Sequence, residues 1–144
     1  MAPRASATTR RNRRSKATLR RKLGPHEIVA FVATRDPDRA KTFYRDTLGL
    51  TLVSEDPFAL VFDAHGTMLR VTTVPQVAAA VYTVLGWRVP NIVKTSSDLQ
   101  KAGVTFERYA GMRQDERGVW KSPSGALVAW FKDPDGNTLS ITQF

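Results

Sequence analysis

The sequence predicts an α+β fold made of two tandem β-α-β-β-β modules. Residues 59–72 align without a gap with residues 129–142, so one segment of the chain repeats another. Leu-Gly-Leu-Thr-Leu at 48–52 also matches Ala-Gly-Val-Thr-Phe at 102–106. The run Asp-Pro-Asp-Gly-Asn at 133–137 lies between two stretches rich in β-formers, a pattern typical of a hairpin. We therefore expect the chain to use one structural module twice.

The first module begins with a short apolar run that favours a strand. After it, Asp36 is suited to cap a helix and Pro37 to occupy its first turn, and apolar residues then follow at helical spacing as far as Leu48. Gly49 ends this pattern. The predicted elements are a strand at 27–33, a helix at 36–48, and strands at 50–54, 59–62 and 68–73.

The second module repeats this order after a connection of small residues at 75–80. Its first strand and helix are followed by further β-forming stretches, one of them an additional short strand before the hairpin. The predicted elements are strands at 82–89, 104–109 and 118–122, a helix at 92–102, and the hairpin at 126–142.

Chain length and composition restrict the class of protein. A chain of 144 residues fits a single domain. The chain has no cysteine, which excludes disulfides, thiol chemistry and cysteine-ligated metals. No apolar run approaches the roughly 20 residues of a membrane span, and no secretory signal is recognisable. We expect a cytoplasmic protein that does not contact a membrane.

The net charge of +9 comes from the N-terminus. The first 25 residues hold nine Lys and Arg and no acidic residue, whereas the remainder holds 13 basic and 13 acidic residues. We predict a basic, disordered tail at 1–25 and one domain at 26–144, with module one at about 26–74 and module two at about 81–144. Four interpretations of the tail stay open: a solvated extension, a misassigned start site, a targeting segment, or a contact with nucleic acid or another polyanion.

Three motifs resemble those of a known superfamily. They are Arg-Asp-Pro-Asp-Arg-Ala at 35–40 leading to Phe-Tyr-Arg-Asp at 43–46, Leu-Gly-Leu at 48–50, and Phe-Lys-Asp-Pro-Asp-Gly-Asn at 131–137. Together, within two β-α-β-β-β modules, they resemble the vicinal oxygen chelate (VOC) superfamily of glyoxalases, bleomycin-resistance proteins and extradiol dioxygenases. The resemblance covers about residues 26–144. It implies that the two modules form a cup-shaped mixed sheet, with ligands inside the cup and helices outside it.

The chain departs from this superfamily at its metal site. Metal-dependent members place His, Glu or Gln at four cup-facing positions, on the first and last strand of each module. Counting back from Asp36 gives Val29 for the first strand, the hairpin alignment gives Arg70 and Ser140, and spacing along the second module gives Val84. Valine has no lone pair and arginine is a fixed cation, so this set does not suit a divalent ion. We expect the metal site to be lost, and we expect no cofactor.

Strand alternation assigns residues to the two faces of the predicted sheet. If Val29 faces the cup, then Ile28, Ala30 and Val32 pack under a helix. The resulting cup lining combines apolar walls with a few polar groups, as in sites for small organic molecules. The candidate ligand-binding residues are Glu27, Val29, Phe31, Met68, Arg70, Thr72, Val84, Arg88, Thr138 and Ser140.

One cup residue, Arg70, and the aromatic residues carry specific expectations. Arg70 either binds an anionic or carbonyl-bearing part of a ligand, helped by Ser140, or forms an ion pair with Glu27 that closes the cup. Trp130, by contrast, is expected to belong to the core together with Phe131.

Two functions fit the residues and the resemblance. The first is a metal-free protein that binds a small organic ligand, for sequestration like that of bleomycin-resistance proteins or for metabolite binding. The second is a glyoxalase-like enzyme, a lyase or isomerase with an atypical active site. No recognisable acid–base pair lies among the predicted cup residues, which favours binding. We also expect a homodimer, because sheet edges favour pairing with another chain.

Overall fold

The computed structural model describes residues 21–144, and most of the predicted basic tail lies outside this range. The described part forms two four-stranded sheets of mixed direction, one per module. In each sheet the first strand of the module pairs in parallel with its last strand. The last strand also pairs in antiparallel fashion with the strand that precedes it in sequence. The predicted α+β fold and its duplication are confirmed.

Module one holds four strands and one helical region. Its sheet has the strand order β1-β4-β3-β2. The elements are β1 Val29–Thr34, α1 Pro37–Lys41 with a π-helical continuation Thr42–Thr47, β2 Thr51–Glu55, β3 Ala59–Ala64 and β4 Thr67–Thr73.

Module two has the equivalent arrangement, with the strand order β5-β8-β7-β6. Its outer strand, β6, is only two residues long. The elements are β5 Leu85–Arg88, α2 Ile92–Lys101, β6 Trp120–Lys121, β7 Leu127–Lys132 and β8 Thr138–Gln143.

Both helices start at the side-chain caps that their sequences favour. The Asp36 carboxylate accepts a hydrogen bond from the Arg39 amide at 3.2 Å, and the Asn91 side chain accepts one from the Lys94 amide at 3.1 Å. Each cap satisfies a backbone N–H that has no partner within its helix. After α1 the turns widen, and the Leu48 amide bonds the Phe43 carbonyl five residues back at 2.9 Å. The predicted helix at 36–48 is therefore partly π-helical.

Several predicted strands differ from the observed ones, and β5 is shorter than predicted, Leu85–Arg88 instead of 82–89. β1 begins at Val29, where the ladder with β4 starts, so Ile28 lies outside the strand and is 77 % exposed. The expectation that Ile28 packs under a helix was wrong. Residues 104–109 form no strand, and only Phe106 bridges to Phe131 of β7. This segment runs beside β7 for too short a distance to form a ladder.

The two hairpins differ at their turns. His65 and Gly66 form a two-residue connection between β3 and β4, with φ of 49° and 87°. Such positive φ values are typical of tight hairpin turns and favour glycine. In module two, residues 133–137 form a five-residue turn closed by a bond from the Asp133 amide to the Asn137 carbonyl at 3.1 Å.

One hydrophobic core joins the two modules. Tyr44 and Phe62 of module one belong to the same buried cluster as Ile92 and Phe131 of module two. A half-open crevice of about 210 Å³ lies where this core meets the surface. The residues that line it are Leu48, Leu50, Trp87, Arg88, Val89, Thr95, Leu99, Phe131 and Ile141. Most of these are apolar residues of the core side, so the crevice lies in the layer between the sheets and the helices.

The turn at 133–137 connects module two to the beginning of module one. Asp135 accepts hydrogen bonds from the Thr34 hydroxyl at 2.6 Å and from the Arg35 amide at 2.9 Å. The Asn137 side-chain amide donates to the Ala33 carbonyl at 2.9 Å. The turn therefore holds the two modules together at the end of β1.

Candidate functional site

Module one presents an open sheet face on the side away from its helix, which we call the module-one face. The ladder places Val29 beside Met68 and Phe31 beside Arg70, and Thr72 follows on the same side. Phe31 is 62 % exposed, whereas the next residue, Val32, points to the core and is 6 % exposed. The predicted alternation of faces along β1 and β4 is therefore observed.

Arg70 lies at the centre of the module-one face. Its ladder neighbours are Phe31 on β1 and Val61 on β3, and its side chain is half-buried. Among the ion pairs formed within residues 21–144, none joins Arg70 to Glu27, which is exposed and precedes β1. Hydrogen bonds from the amides of residues 58 and 59 lower the pKa of Asp56, and the charge of Arg70 contributes less.

Module two presents the corresponding open face, which we call the module-two face. Ser140 lies at its centre, between Gly86 on β5 and Trp130 on β7. Arg88 lies next along β5, where its guanidinium stands 5.1 Å from the centre of the Phe144 ring. The other members of this face are Thr138, Thr142, Val128, Lys132 and Trp120.

Two predicted site residues of module two differ from exposed strand residues of the module-two face. Thr138 is 2 % exposed, and its hydroxyl donates to the Ala80 carbonyl at 2.9 Å. Its hydrogen-bonding capacity is therefore already used within the protein. Val84 immediately precedes β5 and is 39 % exposed.

Trp130 belongs to the module-two face and not to the core. It stands opposite Ser140 in the ladder, whereas Phe131 points to the other side and is 1 % exposed. The expectation that Trp130 is a core residue was wrong, because the antiparallel register places residue 130 on the open side. Its ring packs against Trp120 with centroids 6.0 Å apart and meets Tyr109 edge-on at 5.6 Å.

A glutamine fixes the loop that carries Tyr109. The Gln114 side-chain oxygen accepts from the Tyr109 amide at 2.8 Å, and its nitrogen donates to the carbonyls of Glu107 and Gly118 at 2.9 Å each. Burial, followed by the charge of Glu107, raises the pKa of Tyr109. The phenol is thus neutral at physiological pH and stands at a fixed place beside Trp130.

The two faces are not joined directly by polar contacts. Within the described part of the chain, every side-chain hydrogen bond between the modules involves the turn at 133–137. The predicted site residues are thus grouped in two sets. Glu27, Val29, Phe31, Met68, Arg70 and Thr72 belong to module one, and Val84, Arg88, Thr138 and Ser140 belong to module two.

The four inherited metal positions do not fit a divalent ion. Arg70 and Ser140 lie on equivalent last strands, facing the open side of their sheets, and Val29 lies on the same side of β1. Two valines, a cation and one neutral hydroxyl supply no imidazole or carboxylate. Residues 21–144 contain no cluster of three His, Cys, Asp or Glu that could hold a metal ion.

Solved structures share this fold over most of the chain. A bleomycin-binding protein complexed with bleomycin is similar with a TM-score of 0.65 and 20 % identity, covering 83 % of this chain and 98 % of that one. A bleomycin resistance determinant encoded on the transposon Tn5 has a TM-score of 0.65 and 20 % identity, covering 82 % and 97 %. Lactoylglutathione lyase from Agrobacterium tumefaciens has a TM-score of 0.61 and 19 % identity, covering 83 % and 95 %. At these identities the similarity establishes the fold.

No helix within residues 21–144 is long and apolar enough to cross a membrane.

The remaining comparisons concern the sequence. None of the curated proteins matches this chain. The family model described as Glyoxalase/Bleomycin resistance protein/Dioxygenase superfamily matches residues 24–141, which include both modules and the turn that joins them. The chain therefore belongs to the glyoxalase/bleomycin resistance protein/dioxygenase superfamily.

Proposed function

We propose that this protein binds a small organic ligand on the open faces of its two sheets, in the cup between the modules, without a metal ion. The observation that carries the proposal is the residue set at the four inherited metal positions, Val29, Arg70, Val84 and Ser140. None of these side chains is a good ligand for a divalent ion at neutral pH. Apolar walls with a few placed polar groups are instead typical of binding sites for organic molecules.

The similarity to bleomycin-binding and bleomycin-resistance proteins supports sequestration or metabolite binding. The proposed ligand contacts in module one are Phe31 and Arg70, with Val29 and Met68 beside them. Arg70 has no ion-pair partner among the described residues. Its guanidinium is therefore available for an anionic or carbonyl-bearing group.

Metal analysis of the purified full-length protein tests the metal-free part of this proposal. We expect less than about one tenth of a divalent ion per chain, because no residue set of the cup competes with water for the ion. One tightly bound divalent ion per chain would overturn the proposal.

Ligand titration tests the role of Arg70. Bleomycin is the first probe, and small aromatic carboxylates are the next. For a probe that binds, Arg70→Ala should weaken binding by about tenfold to a hundredfold, the loss expected for one charge-assisted hydrogen bond. Arg113→Ala, in an exposed loop, is the matched control. Unchanged affinity of Arg70→Ala for a bound probe would remove Arg70 from the site.

A glyoxalase-like lyase or isomerase is the second candidate, favoured by the similarity to lactoylglutathione lyase. Turnover of the hemithioacetal of methylglyoxal and glutathione, measured with and without added Ni²⁺ or Zn²⁺, distinguishes the two functions. We expect no turnover above the uncatalysed rate, because no acid–base pair faces the inherited site.

A homodimer is a further part of the proposal. Phe31, Val29 and Met68 are 62 %, 40 % and 44 % exposed on one face, a large apolar surface for a single chain. β1 also has one sheet edge that is unpaired within residues 21–144. Light scattering coupled to size exclusion should give about twice the chain mass of 16.0 kDa.

We also propose a cytoplasmic location, with which the cysteine-free sequence is compatible. The basic tail is proposed to contact nucleic acid or another polyanion. Binding of a DNA duplex should then weaken steeply as salt is raised and should disappear when residues 1–25 are removed. Equal binding with and without these residues would contradict this role.

A further inference from the structure

The crevice at the surface of the core lies on the opposite side of the module-two sheet from the module-two face. Trp87 and Ile141, which line it, are partners in the ladder between β5 and β8, and Ile141 is 2 % exposed. The preceding ladder pair, Gly86 and Ser140, points to the other side because neighbouring strand residues alternate. A molecule in the crevice would therefore lie outside the cup.

Both modules contribute apolar walls to the crevice. Leu48 and Leu50 follow the helical region of module one, whereas Leu99 lies on α2 and Trp87 on β5 of module two. All four side chains are half-buried and pack against the shared core. An apolar cavity of about 150 Å³ can hold one benzene molecule. The crevice, at about 210 Å³, therefore has room for a phenyl ring with a short alkyl chain.

Arg88 supplies a positive charge at the edge of this apolar space. As the last residue of β5, it lines the crevice and also a neighbouring cleft formed with Pro90, Gln143 and Phe144. Its guanidinium stands 5.1 Å from the centre of the Phe144 ring. None of the ion pairs formed within residues 21–144 includes Arg88. Its charge is therefore available to an anionic group.

Thr95 places a hydroxyl on the α2 wall of the crevice, one helical turn before Leu99. Among the hydrogen bonds within residues 21–144, none involves this hydroxyl, although the neighbouring Ser96 hydroxyl donates to the Val93 carbonyl at 3.0 Å. No fully buried polar side-chain atom in the same range lacks a hydrogen-bond partner. The Thr95 hydroxyl is therefore open to solvent and can bond a molecule beside α2.

We propose that the crevice is a second binding site, for a small carboxylate whose apolar part is an aryl or alkyl group. The apolar part lies between Leu48, Leu50 and Leu99, and the carboxylate accepts hydrogen bonds from Arg88 and Thr95. This combination follows from an apolar space with one unpaired cation and one free hydroxyl at its walls. The site is separate from the cup and does not depend on the proposed function.

The test compares 3-phenylpropionate with 3-phenyl-1-propanol, which has the same ring and chain without the charge. Titrations of the full-length protein, followed by ligand-observed NMR, measure the two affinities. At low salt we expect the carboxylate to bind about two- to fivefold more tightly, as for an ion pair that is partly exposed to solvent. This difference should disappear in about 0.5 M NaCl, because salt screens such a pair.

Three variants assign the binding to the crevice. Arg88→Gln should make the two affinities equal, with Arg113→Gln in an exposed loop as its control. Thr95→Val should weaken 3-phenylpropionate by about fivefold, the contribution of one hydrogen bond, and Thr51→Val on β2 is its control. Leu99→Phe fills the crevice and should weaken both compounds by more than about tenfold.

Amide chemical shifts of the wild-type protein locate the site without relying on a variant that must fold. With 3-phenylpropionate, the amides of Thr95 and Leu99 should shift in a saturable way, and those of Phe31 and Arg70 should not. Failure of both compounds to bind would overturn the inference and would identify the crevice as a packing defect.

The remaining outcomes separate the crevice from the cup. Binding that Leu99→Phe leaves unchanged, or that shifts the amides of Phe31 and Arg70 instead, also overturns the inference. Loss of binding in Arg70→Ala would place the carboxylate on the module-one face, which would support the proposed function. Conversely, one tightly bound divalent ion per chain would overturn the proposed function and would leave the crevice site unaffected.

Discussion

The Tyr44 hydroxyl donates a hydrogen bond to the Asp133 carboxylate at 2.7 Å, across 89 residues of sequence. Tyr44 belongs to the Phe-Tyr-Arg-Asp motif of module one, and Asp133 begins the turn of module two. The same carboxylate accepts from the Asn137 side chain at 2.7 Å and from the amides of Asp135 and Asn137 at 2.9 Å. Two of the motifs that indicate the superfamily are therefore in contact, and together they join the modules.

Replacing Tyr44 by phenylalanine should destabilise the protein by about 2 kcal/mol, as expected for a hydrogen bond to a charged group. Tyr44 is 0 % exposed, so water cannot replace the lost donor. Urea denaturation measures the change. Tyr82→Phe is the control, because that side chain is 70 % exposed and its loss should change stability by less than about 0.5 kcal/mol. Equal effects of the two variants would contradict the role of this contact.

The contribution of Tyr44 to the stability of the fold should fall at alkaline pH. Burial, and then the charge of Asp133, raises the pKa of Tyr44 far above its usual value near 10. Above pH 10 the unfolded state loses this proton and the folded state keeps it. Stability is therefore fully present below pH 10 and falls as pH rises, by up to about 1.4 kcal/mol per pH unit from this group.

Urea titrations of wild type and Tyr44→Phe between pH 8 and pH 11 measure this contribution as a difference. The advantage of the wild type should be constant up to about pH 9.5 and should then shrink. A wild-type advantage that grows above pH 10 would mean that the phenol ionises more readily in the folded state, against our expectation.

Asp135 should control the opening of β1. Asp135→Ala removes the acceptor of the Thr34 hydroxyl and of the Arg35 amide. We expect a loss of about 2 kcal/mol and faster hydrogen exchange of the amides in β1. Asp115→Ala is the matched control, because Asp115 also accepts two hydrogen bonds, from the amides of Arg117 and Val119 at 2.8 Å and 2.9 Å, but within one loop. Exchange in β1 should be unchanged by Asp115→Ala.

The sequence predicts the inward faces of β4 and β8 correctly because Arg70 and Ser140 each lie four residues after the glycine of their turn. Arg70 and Ser140 are aligned, and both face the open side of their sheets. The alignment fails on the preceding strands. It pairs Leu60 with Trp130, yet Leu60 points to the core, whereas Trp130 stands beside Ser140.

The reason for this failure is the turn. The spacing of Asp and Gly is identical in the two hairpins, but module one closes with a two-residue turn and module two with a five-residue turn. The strand that enters the turn is therefore shifted by one residue, which exchanges its two faces. Neither turn length nor the aromatic cluster around Trp130 can be read from motif spacing alone. Strand alternation along 126–132 alone does not decide which face of the sheet holds Trp130.

The shifted register gives a final prediction that compares neighbouring residues. Phe131→Ala should cost about 3 to 5 kcal/mol, because Phe131 is 1 % exposed and packs against Phe106 and Trp87 in the core. Trp130→Ala should cost less than half of that, although the removed side chain is larger, because the indole lies on the open module-two face. Urea denaturation of the two variants decides the register. A larger loss for Trp130→Ala would return Trp130 to the core.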